Sequence, residues 1–408
     1  MDRDSLKRYL VQGSAWAVAG KMSAALMGLA LSTLLARLLS PDEMGVYFLA
    51  FNLATFFSVL ARMGLENTLL RYVSEALGHD QSKRAKSVIW KGLVIVLVSA
   101  LLVAVIVGVG GGTWVAERLF DSPLLGAIIG FVAIWLILLA FQSLFGEIFR
   151  AFQDIRSAVL FGGLVTSICT VVFVAICFVF GQHATLIKVL PWILAAGAIN
   201  AMLAIFVLIR KIRTLPTSID DNGAGYLELI IHSWPLLINA LTLFVIRQSD
   251  LWILGVFRSD KEVALYGAAA RLVLLTGMAL AIVNAIIPPL IARSQAQKDR
   301  HKLENVLRTT ATWAAIPAFG VLMVFVLSGG WVLELAFGPY YHAGGVVLII
   351  LSLGQAVNVF VGSCGYTLIM TGHRHIMMVI SIISAFVALG GALLLVRTYG
   401  AVGVALGY

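Results

Sequence analysis

The chain has 408 residues, 61% hydrophobic and only 12% charged, with a mean hydropathy of +0.99. One water-soluble core cannot bury that much apolar surface, and soluble domains typically carry about 25% charged residues. A cytosolic enzyme, a secreted disulfide scaffold and a disordered regulator are therefore excluded, and a lipid bilayer must be the solvent for most of the chain. The 29 Lys+Arg against 20 Asp+Glu, formally +9, would suggest nucleic acid in a soluble protein, but in a membrane protein their distribution decides their meaning.

A helix needs roughly 20 apolar residues to cross a bilayer. Such runs are predicted over 13–36, 44–61, 87–109, 123–145, 158–180 and 189–209, and then over 229–256, 263–290, 306–327, 343–369 and 376–396. The expected fold is thus an all-α, polytopic transmembrane bundle. The longest polar breaks, 62–86 and 211–227, leave no room for an independent soluble domain. Between Arg62 and Lys86 the residues Leu65, Leu69, Leu70, Val73 and Leu77 recur at helical spacing, while Arg62, Glu66, Arg71 and Glu75 fill other faces. This pattern predicts an extension of the second helix along the headgroup region, and a similar one runs from Ala292 to Arg308. The first span is too long, and carries Lys21, to be a cleaved signal peptide. Cys169, Cys177 and Cys364 sit singly in apolar runs and read as helix-packing residues.

With the amino terminus in the cytoplasm, 20 of the 29 basic residues fall on the cytoplasmic side. Six fall on the other side (Arg37, Arg118, Lys188, Arg258, Lys261, Arg397) and three lie within spans. Such an excess predicts this topology and makes most of the positive charge an orientation signal. No nucleic-acid partner is expected.

An internal repeat organises the chain. Ser40-Pro-Asp-Glu-Met-Gly-Val-Tyr47 reappears as Ser259-Asp-Lys-Glu-Val-Ala-Leu-Tyr266, an offset of 219, and Ala50 falls on Ala269. The fourth and fifth spans keep an offset of about 220. The chain then reads as an amino-terminal six-helix lobe (1–210), a cytoplasmic linker (211–226) and a carboxy-terminal lobe (227–408). Six is even, so both halves start on the same side, which predicts a pseudo-twofold along the membrane normal with a cavity between the halves. The same offset places the counterpart of the sixth span at about position 409, so Gly400 to Tyr408 reads as the opening of an incomplete twelfth helix.

A charge near the bilayer centre costs roughly 2.5 to 3.5 kcal/mol, so each one is a functional candidate. Lys21 shares a face with Ala24, Ala25, Gly28 and Ser32, and Arg271 follows Ala264, Gly267 and Ala268 on its own face. Small residues mark faces turned toward protein rather than lipid. Arg247 and Asp250, three apart, can pair on the seventh helix. Taking that pair as neutral leaves Lys21 and Arg271 as interior cations whose dry cost, roughly 5 to 7 kcal/mol, argues for a hydrated cavity that receives an anion. The alternative is that they snorkel or meet helix carbonyls. Asn52 occupies the repeat position of Arg271 and would be a polar lining residue. Pro235 and the Pro288-Pro289 pair predict kinks.

Other motifs are weak. Gly108-Val-Gly-Gly-Gly112 closes the third span with no lysine placed as in a phosphate-cradling loop, so no nucleotide is expected. His373-Arg374-His375 lies in a tight turn and reads as turn solvation. There is no serine, histidine and acid set and no catalytic carboxylate pair, so no catalytic residue, metal or cofactor is expected.

Gly13-Ser-Ala-Trp16, Leu35-Ala-Arg-Leu-Leu-Ser-Pro-Asp-Glu-Met-Gly-Val-Tyr47, Met63-Gly-Leu-Glu-Asn67, Ile246-Arg-Gln-Ser-Asp-Leu-Trp-Ile-Leu-Gly255 and Ala264-Leu-Tyr-Gly-Ala-Ala-Ala-Arg271 together resemble the polysaccharide-export, or oligosaccharide (O-antigen type) flippase, family. That family belongs to the multidrug/oligosaccharidyl-lipid/polysaccharide (MOP) superfamily, which also holds multidrug antiporters and peptidoglycan-precursor flippases. The resemblance implies a flippase, not an enzyme, that moves a polyprenyl-diphosphate-linked oligosaccharide across the bacterial inner membrane by alternating access. Lys21, Arg271 and Arg247 would be the substrate-binding cations and Asp250 a candidate for ion coupling. Implied partners are the lipid-linked anionic saccharide, membrane lipids, and a polysaccharide polymerase and export proteins. The alternatives are a drug/cation antiporter or a peptidoglycan-precursor flippase of the same superfamily. A membrane-embedded glycosyltransferase, polymerase or ligase is the alternative from a different class, although it would need a long outer loop or a carboxylate at the membrane boundary.

Overall fold

In hydrocarbon every backbone N–H and C=O must be satisfied within the protein, and a helix does this within one segment. The structure, a computed structural model, describes residues 3–179, 185–215, 225–296, 300–370 and 373–408, and all its regular elements are helices. Some side chains within these helices, those of Lys21, Pro288 and Pro289 among them, lie outside the described set. Eleven helical segments of the described residues are long and apolar enough to cross a membrane, and they fall where the hydropathy places them. By contact, residues Leu38–Gln248 form one compact unit, and Met1–Arg37 with Ser249–Tyr408 form another.

The first of these units begins with α2 (Pro41–Arg62), which follows α1 (Arg3–Leu38). Ser40 caps α2: its hydroxyl accepts the Glu43 N–H at 3.3 Å, and the Glu43 carboxylate accepts the Ser40 N–H at 3.1 Å. This reciprocal box is worth about 1 kcal/mol. Behind it Tyr47 and Phe51 pack on Trp135, with ring centroids 5.9 and 5.3 Å away.

The segment after Arg62 is not an extension of α2. Met63 and Gly64 both take left-handed conformations (φ 52° and 77°), and a separate helix, α3 (Leu65–Gly78), starts there. Of its predicted apolar stripe, Leu65, Leu69 and Val73 are fully buried, with Leu70 and Leu77 partly exposed, and the helix packs against α4 (Ser82–Ile106) and α7 (Ile129–Ala151). The helical pattern is as expected, and protein covers the face of Leu65, Leu69 and Val73.

The third span also runs further than its hydropathy suggests. From α4 it continues through π turns at Val107–Gly111 and Val115–Leu119, on either side of α5 (Gly112–Trp114), so the glycine cluster lies inside a distorted helix rather than at its end. A short α6 (Pro123–Ala127) precedes α7 (Ile129–Ala151). The fifth span joins α8 (Ile155–Val159), a π turn (Leu160–Leu164) and α9 (Val165–Val179). Where its backbone leaves helical geometry at Gly163, the Asn200 amide of α10 (Leu186–Arg213) donates to the Phe161 carbonyl at 3.1 Å. α10 is itself capped from α2, because the Leu186 N–H donates to Glu43 Oε1 at 2.9 Å.

α11 (Tyr226–Phe257) runs through Pro235 without a break in its helical assignment. In the second unit α12 (Asp260–Ala296), α13 (Arg300–Phe337) and α14 (Gly345–Val361) pack on one another. Arg37 donates to the carbonyls of Leu335 and Ala336 at the end of α13, a basic group at a helix carboxyl end. A 3₁₀ turn (Pro339–Gly344) leads into α14. The tenth predicted span is interrupted at Gly362, after which α15 (Cys364–Met370) forms a separate segment. α16 (Arg374–Gly407) breaks at Gly400 (φ 56°). There Arg258 donates to the carbonyls of Val396 (3.1 Å) and Arg397 (2.9 Å), and Glu262 accepts the Ala401 N–H at 3.2 Å. The break thus leaves those backbone groups paired, as a lipid environment demands.

Candidate functional site

Polar side chains buried inside spanning helices mark where function can reside, since each must be compensated. In the unit containing Ser249–Tyr408, Asp250 near the end of α11 accepts the Tyr266 hydroxyl at 2.9 Å and the Leu251 N–H at 2.8 Å. Tyr266 is fully buried on α12. The neighbouring Ser249 hydrogen-bonds to Tyr408. The expected pairing of Asp250 with Arg247 is therefore replaced: the aspartate takes its partners from Tyr266 and Leu251, and Arg247 is exposed. Spacing along one helix permits such a pair but does not enforce it, and a buried tyrosine hydroxyl on the next helix competes for the same oxygen.

Arg271 is half-buried on α12, five residues beyond Tyr266. The small residues that precede it, Ala264, Gly267 and Ala268, are buried, so its helix has the close-packing face expected of a helix turned toward protein. On α1, Lys21 has a helical backbone, but its side chain lies outside the described residues.

The Leu38–Gln248 unit holds its own polar contacts. Asn52, 2% exposed, donates to the Gln248 side-chain oxygen at 3.2 Å, tying α2 to α11. Its own carbonyl oxygen is buried without a hydrogen-bond partner. Arg62 pairs with Glu66 at 2.5 Å, both side chains largely buried, and also reaches Ser143 on α7. α3 meets α11 through Ser233 and Thr68 (2.8 Å) and through Tyr72 and Glu228 (3.2 Å). Burial pushes the Tyr72 phenol above its ordinary range, and the Glu228 carboxylate that accepts its proton adds to the effect. In the turn before α8, burial opposes ionisation of Asp154, but hydrogen bonds from Lys211 and Ser157 outweigh it and hold the carboxyl below its ordinary value. The Lys211 to Asp154 distance is 2.5 Å.

Asp250 with Tyr266 and Asn52 with Gln248 are thus brought together, whereas Arg247 and Asp250 are not. Sequence reasoning missed Tyr266, Gln248 and the Arg62–Glu66 pair. Tyr266 carried a signal, because it closes the repeated segment; Gln248 carried none beyond being polar within a span. Among the described residues no group of three or more His, Cys, Asp or Glu is placed to hold a metal ion.

Comparison with known proteins gives these positions a context. The sequence profile of a family described as "Polysaccharide biosynthesis protein" matches residues 10–295. No curated protein sequence matches the chain. Among solved structures, the chain is similar to an inward-facing multidrug-resistance MATE transporter of the MOP superfamily, with a TM-score of 0.73 and 15% identity over 96% of this chain and 93% of that one. It is similar to the lipid II flippase MurJ in an inward closed conformation, with a TM-score of 0.69 and 16% identity over 96% and 84%. It is also similar to a MOP transporter from Pyrococcus furiosus, described as having a binding pocket of reversed polarity, with a TM-score of 0.58 and 14% identity over 98% and 92%. The matched family is described by polysaccharide biosynthesis, and the structures that share the fold are described as transporters and a flippase. The profile match covers well over half of this chain's length, and the chain therefore belongs to the polysaccharide biosynthesis protein family, as a multi-pass membrane protein whose fold is that of the MATE and MurJ structures it matches.

Proposed function

We propose that the protein is a flippase that carries a polyprenyl-diphosphate-linked oligosaccharide, a repeat unit of O-antigen, capsule or exopolysaccharide, across the bacterial inner membrane by alternating access. The observation that carries this reading is membership of a polysaccharide biosynthesis family on a fold shared with a lipid II flippase. The four ionisable residues singled out near mid-span favour it as well: Lys21, Arg247 and Arg271 are cations and Asp250 is a carboxylate, a balance suited to a diphosphate and opposite to what a cationic drug requires. In this reading Lys21, Arg271 and Arg247 meet the diphosphate and any acidic sugars, Asn52 supplies a polar lining, and Asp250 with Tyr266 is the candidate for ion coupling. An inside-negative potential assists export of an anion by roughly 2.3 kcal/mol per charge per 100 mV if the charge crosses the full field.

The basic-residue bias supports a cytoplasmic amino terminus, and the 219-residue repeat supports two six-helix halves, 1–210 and 227–408, joined by 211–226. Polymerase and export proteins would receive the flipped substrate. The test is a deletion strain complemented with Arg271→Ala, Lys21→Ala or the unaltered gene. Both variants are expected to insert normally yet leave complete lipid-linked repeat units on the inner leaflet. Wild-type export from both would end the anion-binding role, and accumulation on the outer leaflet in the deletion strain would favour a polymerase or ligase.

A further inference from the structure

Within the Leu38–Gln248 unit, α4, α7 and α10 enclose an apolar groove of about 440 Å³. Its floor is formed by Phe145 and Leu208, 1% and 2% exposed, and its open lips by Trp90, Leu97 and Ile205. The lining runs along α4 from Trp90 to Leu97 and along α10 from Ala201 to Ile212. Extending the groove face by one helical turn on each helix reaches Lys86, four residues before Trp90, and Arg213, four residues after Ile209. Lys86 donates to the Leu215 carbonyl at 3.2 Å, which brings these two helix ends together. A carbonyl leaves the ammonium charge uncancelled, and exposed Arg213 makes no ion pair among the described residues. The nearby Asp154 is already held by Lys211. The α4 and α10 walls of the apolar groove thus lead, one helical turn beyond its lining, to two basic residues, with the indole of Trp90 at that end as is common where apolar and polar surroundings meet.

We propose that this groove holds one acyl chain of an anionic phospholipid, whose headgroup phosphate is met by Lys86 and Arg213. Charge complementarity selects the occupant, since basic pockets between membrane helices at the cytoplasmic surface take anionic headgroups, and a slot of this size with apolar walls suits a single chain. The site lies in the leaflet next to Lys86 and Arg213, the cytoplasmic one in the proposed orientation, and it does not depend on what the protein transports.

The experiment is native mass spectrometry of the purified full chain in detergent, titrated separately with phosphatidylglycerol and phosphatidylcholine of matched acyl chains. The wild type is expected to retain phosphatidylglycerol preferentially. The double variant Lys86→Gln/Arg213→Gln should lose about thirtyfold of that preference, the effect of two basic residues near the membrane surface. Ala201→Phe, which fills the groove, should abolish retention of both lipids while the protein stays monodisperse. Equal retention of the two lipids by the wild type, or an unchanged preference in the double variant, would overturn the headgroup assignment. If Ala201→Phe misfolds, competition replaces it: displacement of bound phosphatidylglycerol by polyprenyl phosphate at equal concentration would overturn the proposal in favour of a substrate-tail site, and failure to displace it would support the phospholipid.

Discussion

Gly64→Ala should be among the most damaging single-methyl additions in the Leu38–Gln248 unit. Gly64 has φ +77°, and a Cβ built there would lie 2.5 Å from the Ser233 carbonyl oxygen and 2.6 Å from the Leu237 amide nitrogen. Both are backbone atoms of α11, spaced i and i+4 along the helix, so neither can swing aside as a side-chain tip would. Placing a residue with a Cβ in the left-handed region costs roughly 1 to 2 kcal/mol, and forcing an extra carbon into a packed contact costs roughly 1 to 3 kcal/mol. The sum, roughly 2 to 5 kcal/mol, would be read as a lower midpoint in detergent unfolding followed by tryptophan fluorescence. Gly130→Ala is the control, because a Cβ at Gly130 meets nothing within 4 Å and the position is helical; it should be neutral or stabilising by up to about 1 kcal/mol. Equal stability of Gly64→Ala and Gly130→Ala would refute the close approach of the α2–α3 corner to α11.

Two further predictions concern charge. Glu43→Ala and Glu262→Ala each remove the acceptor for a distant helix-start N–H, that of Leu186 or Ala401, and should each cost roughly 1 kcal/mol. Hydrogen exchange should quicken at Leu186 in the first variant and at Ala401 in the second, and protection left intact at both would contradict the capping role. For Asp154, whose carboxyl is held below its ordinary value, the sign follows from linkage: its contribution is present above the unfolded value near 4 and is lost as pH falls through the lowered folded value. Both partners are partly exposed, so the loss should stay below about 1 kcal/mol. It should vanish from the difference between wild type and Asp154→Asn in acid unfolding curves.

The membrane helices were legible because lipid imposes a length and a composition that any apolar run reveals. Which side chains meet was less so. Asn52 finds Gln248 across 196 residues, and nothing local to either position announces the other. Asp250 had an arginine three residues before it, and spacing alone favoured that pair; the outcome depended on Tyr266, brought alongside by the α11–α12 hairpin. The segment after Arg62 shows the reverse failure. Its helical periodicity was plain, but the left-handed turn at Met63 and Gly64 hid in a methionine that carries no turn signal, and the stripe that looked ready for headgroups is covered by α4 and α7. Periodicity reports that a face will be buried, not what will bury it.

The repeated segment shows how one local motif can serve two roles. At the 219-residue offset Glu43 corresponds to Glu262, and each carboxylate accepts an N–H at a helix start far along the chain, Leu186 in one case and Ala401 in the other. A shared device of this kind is what a duplicated six-helix unit would retain, because without it a helix start would lie uncapped beside lipid. Four residues further on the halves diverge. Tyr47 packs on Trp135 beside Phe51, whereas Tyr266 donates its hydroxyl to Asp250. Five positions beyond the tyrosines, the offset aligns the amide Asn52 with the cationic Arg271. If the proposed ion-coupling role of Asp250 with Tyr266 holds, Tyr266→Phe, which removes the hydroxyl that Asp250 accepts, should lower export in the complemented deletion strain, and unchanged export would end that role.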